Sequence, residues 1–170
     1  MESILAQDPH QINARAYNAI VGTASLQSIR LTGCSLDLKP YSISVPPSQW
    51  KRSFHENVSA YIDREALRLF GFFSFNLTCR AKRKKVLTVS GTYMVVYSVN
   101  EIDDDAAGEL FVERVGRVAA YPYFRGLVAQ LIADTGVTLP PLPIISAAPR
   151  TIKSAQDLEV KGAAKILAGT

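Results

Sequence analysis

Two long alternating runs, joined by a block of positive charge, constrain this chain more than any other feature. Leu67, Leu69, Gly71, Phe73, Phe75, Leu77 and Cys79 take every second position, and Leu87, Val89, Gly91, Tyr93, Val95, Tyr97 and Val99 repeat the pattern. Alternation of this length reads as strand. Between the runs, Arg80-Ala81-Lys82-Arg83-Lys84-Lys85 forms a turn of almost pure cation, read as a hairpin tip kept in water. Phe54, Val58, Ala60 and Ile62 mark a further strand upstream. Leu26, Ile29 and Leu31, then Cys34, Leu36 and Leu38, mark the first, with a phase slip near Gly33 that predicts a β-bulge. Four such strands in succession predict an antiparallel meander or Greek key.

Helical signals flank the strands. Asp8-Pro9 is an N-cap acceptor followed by proline, and Ile12, Ala16, Ala19 and Ile20 follow at helical steps to about Gly22. Residues 40–53, with Pro40, Pro46, Pro47 and the only tryptophan, Trp50, read as a long and therefore functional loop. Asp103, Asp104 and Asp105 suit the positive end of a helix dipole, and Leu110, Phe111, Val115 and Val118 continue at helical spacing. Pro122 is expected to kink or restart that helix. The next segment, with Leu127, Val128, Leu131 and Ile132, ends at Gly136 as a C-cap. Pro140, Pro141 and Pro143 then interrupt Leu142, Ile144 and Ile145, and a short helix is expected over 153–168 in a mobile tail. The fold class is α+β.

Composition excludes more than it identifies. A chain of 170 residues with 48% hydrophobic and 20% charged residues can bury a core without staples and is not disordered. Cys34 and Cys79 lie far apart, with His10 and His55 as the only histidines, which excludes a four-ligand zinc site and reads as two small buried hydrophobes in a reducing compartment. The N-terminus lacks a secretory pattern, and no window reaches the roughly 18 uninterrupted apolar residues of a membrane helix. The expected location is the cytoplasm, without membrane attachment. Glycine-rich phosphate loops, HExxH and GxSxG are absent, His55 has no acidic neighbour in sequence, and the three aspartates cannot converge from a helix start. No enzyme, cofactor or metal is expected. The formal charge of +4 does not announce nucleic acid, and the strand aromatics are not interleaved with the basic turn as in a single-strand binder.

One anomaly remains. Phe70 and Phe72, and Met94 and Val96, make the two longest strands apolar on both faces. The second sheet face is therefore expected to be covered, by the helices or by another subunit, and oligomerisation is favoured.

Tyr121-Pro122-Tyr123-Phe124-Arg125, then Thr135-Gly136 and Leu139-Pro140-Pro141-Leu142-Pro143-Ile144, resemble the aromatic-Pro-Tyr-x-Arg step and the downstream Gly and Pro-x-Leu of the SecB export-chaperone family. Ser35-Leu36-Asp37 is similar to that family's Ser-Phe-Glu, and Trp50 stands where the family has a tryptophan. The resemblance covers residues 24–148. It implies a four-stranded antiparallel sheet with a long C-terminal helical region, broken here near Pro122, behind an added N-terminal helix at 1–23 and ahead of a tail at 149–170. It also implies an ATP-independent holdase for unfolded polypeptides, in export or dedicated to an antitoxin, assembled as a homotetramer.

By motif match, Val45, Pro47, Trp50, Leu139, Leu142 and Ile144 would contact clients. Val89, Gly91 and Tyr93 would lie at a subunit interface, and Tyr121, Pro122, Tyr123, Arg125, Gly136 and Pro140 carry the motif. Members that dock the SecA motor are strongly acidic, so a charge of +4 argues against that docking. The extra N-terminal helix is similar to that of the longer, antitoxin-associated relatives. The alternatives are an oligomeric adaptor for one folded protein and a nucleic-acid module using the 80–85 turn.

Overall fold

The computed structural model describes residues 13–40 and 44–144. Helix α1 (Ala14–Thr23) is followed directly by strand β1 (Ser25–Leu38). Strands β2 (Lys51–Asp63), β3 (Arg68–Ala81) and β4 (Lys84–Ser98) follow, then helices α2 (Asp105–Phe111) and α3 (Arg117–Ala133), joined by a π turn at Val112–Gly116. The sheet is antiparallel with order β1-β4-β3-β2, so β1 returns to pair with β4 in Greek-key fashion. The expected fold class is therefore the observed one.

Local chemistry sets most boundaries. Asn13 caps α1, its Oδ1 accepting from the Arg15 and Ala16 amides, so this helix begins later than the Asp8-Pro9 signal, which lies outside the described residues. Within the acidic triplet Asp104 does the capping expected of it. Asp104 accepts from Ala106 N at 3.0 Å and from Asn13 N at 3.3 Å, and Asp105 pairs with Arg64 at 2.9 Å. The β1 register shifts between Leu31 and Gly33, where the phase slip predicted a bulge, and again between Leu26 and Ser28. The basic segment closes a two-residue turn between Ala81 and Lys84, with Lys82 at φ 55°. Strand β2 starts at Lys51, shortening the expected 40–53 loop.

The interruption expected near Pro122 is displaced. Helix α3 runs through Pro122, and the irregularity is the π turn at Val112–Gly116. Proline removes only one backbone donor, whereas Ala120, Tyr121, Phe124, Val128 and Ile132 bury a continuous stripe that holds the helix on the sheet. The wide turn has a local cause as well. A Cβ on Gly116 would lie 2.6 Å from Phe73 Cζ, and one on Gly71 would lie 2.5 Å from Phe73 Cε2. The ring of Phe73 thus fills the space left by two glycines, one from each layer.

The core lies between the helices and one sheet face, that of Leu69, Phe73, Phe75 and Leu77 on β3 and Val89, Tyr93, Val95 and Tyr97 on β4. Residues Ala16, Tyr17 and Ile20 of α1 belong to the same core, with α1 packed on α2. Burial pushes the Tyr93 and Tyr97 phenols up to about 12 from 10, with the nearby Cys34 adding to the shift at Tyr93. Folding thus favours the neutral phenol. Stability is complete below the unfolded value of 10 and is lost as pH rises from about 10 through 12. Urea titrations from pH 8 to 12 are expected to show that decline, and Tyr97→Phe to flatten it; equal slopes in the two proteins would refute the assignment.

Candidate peptide groove

A groove of about 520 Å³ opens between α3 and the segment that follows it. Its helix wall is Pro122, Arg125, Gly126, Val128, Ala129, Ile132 and Ala133. Gly126, Ala129 and Ala133 recur at three- and four-residue steps, and these short side chains leave the space open. Leu77 of β3 and Arg52 of β2 line it from the sheet side. The far wall is an arm formed by Val137–Leu142.

The arm is built by its sequence. Gly136, at φ 70°, reverses the chain after α3, and Thr135 Oγ1 donates to Ile132 O at 2.7 Å. Pro140, Pro141 and Pro143 fix φ and force Leu139 and Leu142 out of the helical region, so the arm runs extended. It is tied down by side chains. Arg125 Nε donates to Leu142 O at 2.8 Å, Tyr121 Oη to Pro143 O at 2.9 Å, and Arg52 Nη1 to Pro140 O at 2.8 Å. Burial raises the Tyr121 phenol, with the Arg125 and Arg117 charges offsetting part of that rise and Glu56 adding to it, so the group is a proton donor at neutral pH. Leu142 is buried in the core, and Leu139 and Val137 are half-buried.

The residues expected at a site divide clearly. Leu139 and Leu142 line the groove; Val45, Pro47, Trp50 and Ile144 do not. Trp50 is only 8% exposed, joins the core, and donates Nε1 to Val45 O at 3.0 Å, holding the crossover loop to its own strand. Ile144 is 75% exposed beyond the last arm contact. Tyr121 and Arg125 of the motif, four residues apart on one helix face, catch the arm; Pro122 lines the groove and Tyr123 points to solvent. Sequence reasoning missed Arg52, Gly126 and Ala129. The small-residue steps on α3 were the available signal, while Arg52 is brought in only by strand pairing.

The expected interface residues need correction. Val89, Gly91 and Tyr93 are buried within the chain, beneath α3: a Cβ on Gly91 would sit 3.0 Å from Leu127 and Phe124. Their own helix occupies the face a partner would need. The exposed apolar side chains on that side belong instead to β1, with Leu26 at 47%, Leu31 at 46% and Leu36 at 36% exposure. Cys34, expected to be buried, is exposed on the same strand, while Cys79 is buried as expected. On the opposite face Tyr61 and Phe72 are exposed, with Tyr61 and Phe70 in ring contact at 5.8 Å. Among the described residues no group of three or more His, Cys, Asp or Glu could hold a metal, and no helix is long and apolar enough to cross a membrane.

The four-stranded Greek-key sheet under a long helix is similar to the fold of a SecB-like chaperone. The Mycobacterium tuberculosis Rv1957 SecB-like chaperone, solved in complex with a ChAD peptide from the Rv1956 HigA1 antitoxin, superposes with a TM-score of 0.68 at 20% identity, covering 79% of this chain and 99% of that one. In sequence, the SecB-like chaperone SmegB of Mycolicibacterium smegmatis is 31% identical over 87 residues, 49% of this chain and 59% of that relative. The match thus spans about three fifths of the curated relative. No family model matches the chain.

Proposed function

We propose that this protein is an ATP-independent holdase that keeps polypeptides from aggregating while they are unfolded, acting in the cytoplasm without enzymatic activity. The observation that carries the reading is the groove: an open apolar channel on a SecB-like fold, walled on one side by small residues and on the other by a side-chain-tethered arm. Such a channel can accept many apolar segments, and binding them lowers the free concentration of aggregation-prone chain by mass action. The structural neighbour solved in complex with an antitoxin peptide supports an antitoxin as client, with preproteins the other class. The charge of +4 argues against docking of the SecA motor. Exposed Leu26, Leu31 and Leu36 on an edge strand support self-assembly, as a dimer of dimers in keeping with the resemblance.

The test is suppression of light scattering by a heat-unfolded reporter protein. Wild-type chain at one tetramer per reporter is expected to abolish most of the scattering. Ala129→Trp, which fills the groove from an exposed position, is expected to weaken capture about tenfold. No suppression by the wild type would sink the holdase reading; unchanged capture by Ala129→Trp would place clients elsewhere.

A further inference from the structure

The arm that walls the groove is itself held against α3 and β2 in the manner of a bound peptide, and the chemistry of that contact defines a ligand class. Three of the six residues in Leu139–Ile144 are prolines, so this stretch offers carbonyls but few amides. The protein meets it with side-chain donors. Arg52, Tyr121 and Arg125 reach across from β2 and α3 to three of its carbonyls, and the Leu142 side chain enters the core between them. Among the described residues no backbone–backbone hydrogen bond ties Val137–Ile144 to the rest of the fold. A donor-lined wall with one apolar slot suits an extended, amide-poor segment, because a proline-rich chain leaves no buried N–H unsatisfied there.

We propose that the donor-bearing surface of Arg52, Tyr121 and Arg125 is a receptor for proline-rich extended segments, that Leu139–Ile144 is its resident occupant, and that an incoming segment enters by the adjoining groove, displaces the arm and takes over its three carbonyl contacts. This rests on the holdase reading for the identity of the incoming chain and deepens it by naming the segment sought within a client: a leucine flanked by prolines. Displacement is feasible because the arm is attached through side chains alone, and its outer residues Pro140, Pro141 and Ile144 are exposed. Arm and client then compete for one set of donors, so a change within the arm that loosens it and leaves those donors intact tightens client binding.

The experiment uses the full chain and a fluorescein-labelled, end-blocked Leu-Pro-Pro-Leu-Pro-Ile peptide, read by anisotropy. Saturable binding is expected, about tenfold tighter to Leu142→Ser, which loosens the arm and keeps all three donors. On that background, where the arm no longer competes, adding Tyr121→Phe is expected to weaken binding several-fold, and a peptide with alanine at each proline is expected to bind more weakly still. Because Leu142→Ser could unfold the chain, a second measurement uses wild-type protein: the methyl resonances of Leu142, buried in the core with the arm in place, should move to solvent-exposed positions when peptide saturates. Absence of saturable peptide binding, or binding that leaves those resonances unchanged, overturns the proposal. Competition with the unfolded reporter separates it from the broader reading. Peptide that displaces the arm but not the reporter would uphold the receptor and remove the holdase. Capture that depends on the groove without any peptide binding would do the reverse.

Discussion

Phe73→Ala is expected to lower the free energy of unfolding by about 3–5 kcal/mol, the largest loss from any single truncation in this core. Phe73 is fully buried, stacks on Phe75 at 6.2 Å, and sits between two glycines that have no room for a methyl group. Its removal would leave a cavity bounded by β3 backbone and the π turn, neither of which can collapse into it without losing hydrogen bonds. The companion test is more diagnostic. Gly116→Ala alone is expected to destabilise by about 1–3 kcal/mol through the clash at 2.6 Å, although alanine is the better helix former by about 1 kcal/mol. On a Phe73→Leu background the same substitution should become neutral or stabilising. A urea double-mutant cycle with a coupling energy near zero would refute the account of the π turn as a seat for this ring.

The second large effect concerns assembly. If the wild-type chain assembles as proposed, Leu31→Asp combined with Leu36→Asp is expected to yield an 18.6 kDa monomer by light scattering, with little change in unfolding free energy per chain. The reason lies in where these leucines sit. They face the helix side of the sheet, but β1 is an edge strand that the helices leave largely uncovered, so both residues are already in water in the single chain. Charge there costs the monomer almost nothing and costs an apolar interface several kcal/mol through burial of carboxylates. A wild-type chain that is itself monomeric would end the assembly argument. A double variant that retains the wild-type mass would move the interface to the opposite face, around Tyr61 and Phe72.

Much of the fold could be read directly from residue order. The strands alternate cleanly on β3 and β4 because one face is buried throughout, and the Gly33 slip was legible because a bulge displaces every later side chain by one position. Asp104 was legible as a cap because its chemistry is local, whereas α3 ends at Ala133 with Asp134 as its C-cap, and Gly136 turns the chain two residues further on. What failed was non-local. Pro122 was expected to break the helix, since a proline rule knows nothing of the aromatic stripe that holds α3 in place. Val89, Gly91 and Tyr93 were assigned to an interface because periodicity shows that a face is apolar without showing what covers it. The two-faced greasiness of β3 and β4 was real, but on the outer face it is confined to one end, around Tyr61, Phe70, Phe72, Met94 and Val96. Half of the groove was found through the motif, whose Tyr121 and Arg125 carry the arm. Arg52 was invisible because only the pairing of β2 with β3 brings it across.

The pairing of β1 with β4 has a consequence for how the chain is made. Strands β2, β3 and β4 are joined by short turns and can zip together as each leaves the ribosome. Strand β1 emerges before all of them, yet Ser25 must wait for Ser98 and Leu38 for Leu87. Through that interval its leucines have neither a neighbouring strand nor a helix beside them. The first strand synthesised is thus the one whose partner is made last, and the crossover segment before Trp50 is the tether that links it to the other three.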